Sequence, residues 1–389
     1  MQNHPIINTI STKCTACGKC VSGCNFLKEH GNPAQIAASF RTGKMLPETP
    51  FECSLCGLCD NICPEKLDLH SFFHLLRQHA YKTKPSVINN AKPLTRYEAI
   101  GSSKLFSYFH LPEDGTSVFF PGCTLPATRP ETVFSTFKKV AHVVKNCGIA
   151  LTCCYRPSQS LGREDFFQKK ISALITKLEE IGVKQVITAC PNCYAVLTKQ
   201  KRAFAVITVY EIFDGKLPKP FRPKRKNAPM LHDPCALRFA PHVQEAVRNL
   251  LDQQSLPYVE AKTPRHLSRC CGEGGGTGYF KPENAEHWLN NRLADIRLSG
   301  NSEAITSCAG CLRALNDHTN SEGQTTTVHH VLDMILNDSF QELPPSRTGL
   351  KRYTGRLKLK KQFKKHFSPN KKEPQQPQRP VHNPYAKEE

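Results

Sequence analysis

A chain of 389 residues with 39% hydrophobic content can bury a sizeable core, and its length fits two or three domains. It contains no run of about 18 apolar residues to cross a membrane, and MQNHPIINTISTKC lacks the basic and apolar regions of a secretory leader. The chain is therefore expected to be cytoplasmic, and there 19 cysteines argue for metal ligation rather than disulfides. A net charge of +20 points to an anionic partner, ligand or surface, less the part that metal-bound thiolates offset.

Residues 1–66 hold two cysteine groups separated by a helix-compatible stretch, 26–42. DLHSFFHLLRQHAY (68–81) predicts a helix leading away from the second group, and 82–116 shows few regular signals and reads as a spacer. From Ser117, short apolar runs alternate with amphipathic segments, the pattern of α/β units. A first unit, 117–215, predicts strands at 118–120, 149–152 and 186–188, with helices over 131–146 and 163–180. KLPKPFRPKRKNAP (216–229) has the composition of an exposed linker. A second unit, 230–338, predicts strands at 230–233 and 304–306 and helices over 241–253 and 283–298. The rest, 339–389, is a basic tail expected to be disordered: from Arg347 onward 13 Lys and Arg face 3 acidic residues, and its end is polar and Pro-rich.

Cys14, Cys17, Cys20 and Cys24 read C-x-x-C-x-x-C-x-x-x-C, and Cys53, Cys56, Cys59 and Cys63 repeat the spacing. Three thiols at i, i+3 and i+6 wrap one [4Fe–4S] cube in a tight loop, and the fourth points to the other cluster. This assigns Cys14, Cys17, Cys20 and Cys63 to one cubane cluster and Cys53, Cys56, Cys59 and Cys24 to a second. Gly18 and Gly57 give each loop room to turn, Pro64 follows the second motif, and Asn25 stands where proline is usual after the first. Zinc also uses C-x-x-C but seldom in this doubled form.

A different pattern fills the α/β half. Cys123, Cys153, Cys154, Cys190 and Cys193 recur as Cys235, Cys270, Cys271, Cys308 and Cys311, displaced by 112, 117 and 118 residues. Five thiols are one more than a cube or tetrahedral zinc needs, and an adjacent Cys-Cys pair suits a bridging thiolate or an unusual iron arrangement; structural zinc is the alternative. Gly272, Gly274, Gly275 and Gly276 permit close backbone approach. The run matches neither a P-loop nor G-x-G-x-x-G, which argues against nucleotide binding.

HDPCALR (232–238), CCGEGGG (270–276) and SCAGC (307–311) resemble the cysteine-rich CCG domain, and the order of motifs over about 10–335 resembles the D subunit of heterodisulfide reductase. Related families include the iron–sulfur subunits of glycolate oxidase and lactate utilisation systems, and the C subunit of anaerobic glycerol-3-phosphate dehydrogenase. The resemblance implies an α+β multidomain fold: an N-terminal α-helical dicluster ferredoxin domain (1–81), then two α/β CCG domains in pseudo-repeat. It implies a noncubane [4Fe–4S] cluster in each five-cysteine set and a disulfide cleaved between them. Tyr155 departs from the family, which has Gly after the first pair, and its ring is expected to crowd that cluster or alter its hydrogen bonding. The implied function is a heterodisulfide reductase-like oxidoreductase. The alternatives are an electron carrier between a flavin dehydrogenase and a quinone or membrane complex, and a partner-binding protein with structural zinc. No flavin motif is visible, so a flavoprotein, hydrogenase or membrane cytochrome-type partner is expected to be separate.

Cys147, outside all four sets, reads as a buried structural thiol. His70 and His74 read as a helix face, and His329 and His330 as part of a packed helix. His232 and Arg238 flank Cys235 and are read equally as packing or as groups that hold an anionic substrate or tune the cluster. Leu359, Phe363 and Phe367 fall at i, i+4 and i+8 among lysines, a pattern for lying on an anionic membrane face or docking an acidic partner. Nucleic acid is disfavoured, since no nucleic-acid-binding fold accompanies the charge.

Overall fold

The computed structural model describes residues 4–218, 228–300, 302–321, 326–336 and 348–368. Most of the linker and the last 21 residues of the tail, 369–389, lie outside the described residues. Among the described residues no helix is long and apolar enough to cross a membrane.

The N-terminal domain is helical. The expected helix over 26–42 is two, Asn25–His30 and Pro33–Arg41, because Gly31 turns left-handed and Pro33 cannot continue a helix. Asn32 and Gln35 close a capping box at the second start, with bonds of 3.0 and 2.9 Å. Asp68 caps the helix Leu69–Thr83 by accepting from the Ser71 N–H at 3.0 Å. That helix buries Leu69, Phe72, Phe73, Leu76 and Ala80.

Two sheets follow. The first contains β1 (Tyr108–His110), β2 (Ser117–Phe120), β3 (Gly148–Leu151), β4 (Gln185–Thr188) and β5 (Ala205–Thr208) in the order β1-β3-β2-β4-β5. Only β1 is antiparallel. The second contains β6 (Met230–His232), β7 (Val259–Glu260), β8 (Glu303–Thr306) and β9 (Thr327–His330) in the order β7-β6-β8-β9, all parallel. Their central strands are continuous apolar runs because parallel sheets are covered on both faces. The helices Pro130–Val143, Glu164–Glu180, Pro241–Gln253 and Pro282–Leu298 fall where the periodicity predicts them. The short strands β5, β7 and β9 are additional, and His329 and His330 end a strand rather than lying in a helix.

Two further expectations need correction. The segment read as a spacer forms the helices Pro85–Ala91 and Lys92–Ser102 and then β1, which completes the first sheet. The basic tail, within its described part, is a helix, Lys351–His366. Leu359 and Phe363 are fully buried in a core cluster that both α/β units share, and Phe363 meets Phe137 and Phe134 edge-on at 5.0 and 5.2 Å. The apolar stripe that suggested a membrane therefore faces protein, and Lys351, Lys358, Lys361, Lys364 and Lys365 are exposed.

Arg77, 0% exposed, holds the three parts together. Its guanidinium donates to the carbonyls of Pro50, Phe51 and Cys53 at 2.9, 3.0 and 2.5 Å, of Ser160 at 2.7 Å and of Gly275 at 2.6 Å. Those five bonds satisfy a charge that would otherwise be costly to bury.

Candidate metal centres

The two N-terminal motifs share one backbone shape. Ala16 and Gly18 flank Cys17 with φ of 53° and 75°, and Leu55 and Gly57 flank Cys56 with φ of 49° and 68°. Left-handed residues on either side of the central cysteine curl the loop so that its thiols converge. Cys14, Cys17, Cys20 and Cys63 line one small pocket. Burial pushes the Cys20 thiol up to about 11, and the charges of Cys14, Cys17 and Cys63 add to it. Cys24 is pushed up to about 12 by burial and then by Cys56, and Cys53 and Cys59 feel Cys24 in turn. The fourth thiol of each motif thus lies among the first three of the other. Buried thiols with raised pKa values stay protonated unless a cation offsets their charge, so these donor sets fit iron. Replacing Cys63 with Ala is expected to disturb the cluster of Cys14, Cys17 and Cys20. Spectra in which only the Cys53 loop cluster changes would refute the crossed arrangement.

The five-cysteine sets hang from the carboxyl ends of parallel strands, where open α/β sheets place their sites. Cys123 follows β2, the pair Cys153–Cys154 follows β3, and Cys190 follows β4, with Cys193 in the helix Pro191–Leu197. In the second unit Cys235 follows β6 and Cys308 follows β8, with Cys311 in the helix Ala309–Ser321. Sγ of Cys153 lies 4.0 Å from that of Cys123, and Sγ of Cys271 lies 3.0 Å from that of Cys311. In both sets the second member of the pair is held toward the thiolate, as are Cys123 in the first set and Cys308 in the second. Cys154 is lowered by hydrogen bonds from Cys153 and Cys193, and Cys271 by bonds from Cys270 and Cys311.

Both sets open onto one cavity of about 600 Å³. Cys123, Cys154, Cys190 and Cys193 line it from one side, Cys235, Cys271, Cys308 and Cys311 from the other, and Cys56 of the second ferredoxin-type motif reaches it as well. Cys153 and Cys270 are buried behind their neighbours. Among the described residues the wall carries Arg96, Arg156, Lys199, Arg313 and Arg352 against the single carboxylate Glu273, which pairs with Arg313. Arg156 places its charge within reach of Cys235 and Cys154, one from each set. At Gly274 a Cβ would stand 2.5 Å from the Ser54 carbonyl and 3.3 Å from Cys270 Sγ, so the glycine run lets the Cys53–Cys56 loop press against the second set.

Other candidates separate here. Arg238 is buried, and its Nε donates to the Cys56 carbonyl at 2.9 Å and its Nη2 to the Ser268 carbonyl at 2.6 Å, while its charge reaches Cys56 and Cys235, which favours the packing and cluster-tuning readings over a substrate contact. His232 is buried beside Cys271 and Cys311. His70 lines the cavity, while His74 bonds the Gln159 carbonyl at 2.7 Å and joins the helical domain to the first α/β unit. Tyr155 adopts φ 58°, the left-handed position that glycine occupies in the second unit, and its ring sits edge-on to Phe166 at 6.5 Å rather than in the cavity. Cys147 is buried, with its thiol pushed up to about 12 by desolvation. Sequence reasoning missed Arg77, Arg96, Arg313 and Arg352, since no local pattern marks a lone arginine.

Residues 10–67 match the 4Fe-4S dicluster domain, and residues 117–198 and 230–316 match the cysteine-rich CCG domain. The chain belongs to the CCG iron–sulfur family typified by the D subunit of heterodisulfide reductase. The chain is an iron–sulfur electron-transfer protein that binds [4Fe–4S] clusters. It is 24% identical over 363 residues to the B subunit of fumarate reductase (CoM/CoB) of Methanothermobacter marburgensis, covering 84% of this chain and 72% of that one. It is 23% identical over 393 residues to the D subunit of dihydromethanophenazine:CoB–CoM heterodisulfide reductase of Methanosarcina mazei, covering 83% and 92%. A third similarity, 26% over 231 residues, is to EtfAB:quinone oxidoreductase of Syntrophomonas wolfei subsp. wolfei, covering 53% of this chain and 32% of that one. The chain spans 59% and 58% of the length of two further iron–sulfur relatives.

Anaerobically prepared protein is expected to contain about sixteen irons per chain, four for each of four clusters, and little zinc. A count near eight with one or two zincs would remove iron from the five-cysteine sets.

Proposed function

We propose that this CCG protein takes electrons from a separate redox partner and delivers them, through two cubane clusters, to a cavity where a disulfide or other thiol-linked substrate is reduced. The observation that carries this reading is the single cavity lined by thiols of both five-cysteine sets and by Cys56. Cys17 is exposed, so the first motif faces a partner while the second faces the cavity. The cubane ligands are Cys14, Cys17, Cys20 and Cys63, and Cys53, Cys56, Cys59 and Cys24. The two five-cysteine sets hold noncubane [4Fe–4S] clusters.

When bound, the clusters supply electrons one at a time. Cleaving one S–S bond consumes two electrons and two protons and yields two thiols. The protein's share is to hold the substrate's sulfurs between the sets and to attract it. The five cations of the wall suit a disulfide whose two halves carry anionic groups. The partner that loads the first motif is a flavoprotein, a hydrogenase or a membrane cytochrome-type protein.

The test is to reduce the protein anaerobically and add mixed disulfides of anionic thiols. Thiol release in proportion to electrons consumed supports the reading. Ready transfer to quinones, with no disulfide cleaved, would replace it with the carrier reading, which the likeness to a quinone oxidoreductase favours.

A further inference from the structure

The cysteines of the two CCG units repeat, but one residue beside them does not. His232 ends β6 opposite Thr306 of β8, and Phe120 ends β2 opposite Thr188 of β4, so the two are structural counterparts. His232 is 0% exposed, and neither of its ring nitrogens has a hydrogen-bond partner among the described residues. Buried polar groups are almost always bonded, and an exception calls for a partner such as a bound ion or cofactor. One of the ring nitrogens lies within 4.8 Å of Sγ of both Cys271 and Cys311, which are 3.0 Å from each other. Phe120 offers no polar atom at the matching place in the first unit.

We propose that His232 donates its ring N–H to the cluster held by the second cysteine set, which makes the two CCG sites unequal in potential. The inference rests on a cluster occupying that set. Five thiols already complete the set, so the imidazole is not needed as an iron ligand. A hydrogen bond to sulfur stabilises the extra negative charge that reduction brings and raises the potential. The second set is therefore the more easily reduced of the pair. It is also a set against which the ferredoxin-type domain packs: at Gly274 a Cβ would stand 2.5 Å from the Ser54 carbonyl and 3.3 Å from Cys270 Sγ, and Arg238, near Cys235, donates to the Cys56 carbonyl at 2.9 Å. An electron leaving the second cubane thus meets the higher-potential CCG site first, and the first set, with Phe120, fills second.

The experiment uses the full chain, labelled with ¹⁵N-histidine and reduced stepwise, followed by pulsed EPR and redox titration. A weak histidine-nitrogen coupling is expected on one CCG cluster and not on the other. In H232F the potential of that cluster should fall by about tenfold in the reduction equilibrium, about 59 mV for a one-electron couple, with the other three unchanged. H232Q, which keeps an N–H donor, should recover most of the shift, and F120H should raise the potential of the other CCG cluster. Absence of any histidine coupling in the unsubstituted protein overturns the proposal even if H232F fails to fold. So does H232F with full iron content and four unchanged potentials. A second set empty of iron would instead overturn the cluster reading on which this one stands.

Discussion

Changing Cys271 to Ser is expected to abolish thiol release from mixed disulfides by the reduced protein, while both ferredoxin-type clusters persist. Cys271 lines the cavity, and hydrogen bonds shared with Cys270 and Cys311 hold its thiol toward the thiolate. Serine keeps the size of the side chain but loses the soft, readily ionised sulfur that iron prefers. Changes to outer-shell partners of metal ligands cost about 10–100-fold, so losing a ligand should reduce the rate by more than about 100-fold. Cys154 occupies the same place in the first set, with the same polarisation from Cys153 and Cys193, and Cys154→Ser should have the same effect. Iron analysis and EPR provide the control: each variant should lose the cluster of its own set, so about twelve irons and the unchanged spectrum of the dicluster domain should remain. Disulfide cleavage at an undiminished rate in both variants would place the chemistry outside the CCG sites.

Phe363→Ala is expected to destabilise the fold by about 3–5 kcal/mol, the range for emptying a buried phenylalanine site. Phe363 is 0% exposed and packs against Phe134, Phe137 and Phe367, and Leu359 is equally buried one turn earlier. Arg356, also buried, donates to the Gly101 carbonyl at 2.8 Å, and Lys360 donates to the carbonyls of Lys104 and Leu105 at 2.8 and 2.9 Å. Truncation before residue 348 removes all of these contacts, and with them Arg352 and Tyr353 from the cavity wall. The truncated chain should lose cluster content and its cooperative melting transition. Lys361→Glu, on the exposed face of the same helix, should leave both unchanged. A truncated protein that keeps its irons and its melting temperature would show that the helix is dispensable, as the composition of the tail by itself suggested.

That helix marks the boundary between what could and could not be read from the chain. The sequence by itself determined the four cysteine sets, the α/β repeat and most of its helices, because these depend on local spacing. Thiols three apart share a loop, apolar runs of four mark buried parallel strands, and apolar residues at helical period mark one face. The amphipathic stripe of Leu359, Phe363 and Phe367 was equally legible, but a stripe specifies an apolar surface without saying whether lipid, a partner or the chain's own core covers it. The same limit applies to charge. Arg77 reads as one more polar position on the helix Leu69–Thr83, yet it is buried because Pro50, Phe51, Cys53, Ser160 and Gly275 bring carbonyls to it from three parts of the chain. The segment 82–116 looked irregular because its strand, Tyr108–His110, is only three residues long and is stabilised by its pairing with β3. His232 and Phe120 differ visibly in the sequence, but only the register of β6 and β2 makes them counterparts. The cavity between the two CCG units belongs wholly to the tertiary structure, because long-range packing alone brings residues from Ser54 to Tyr353 around one space.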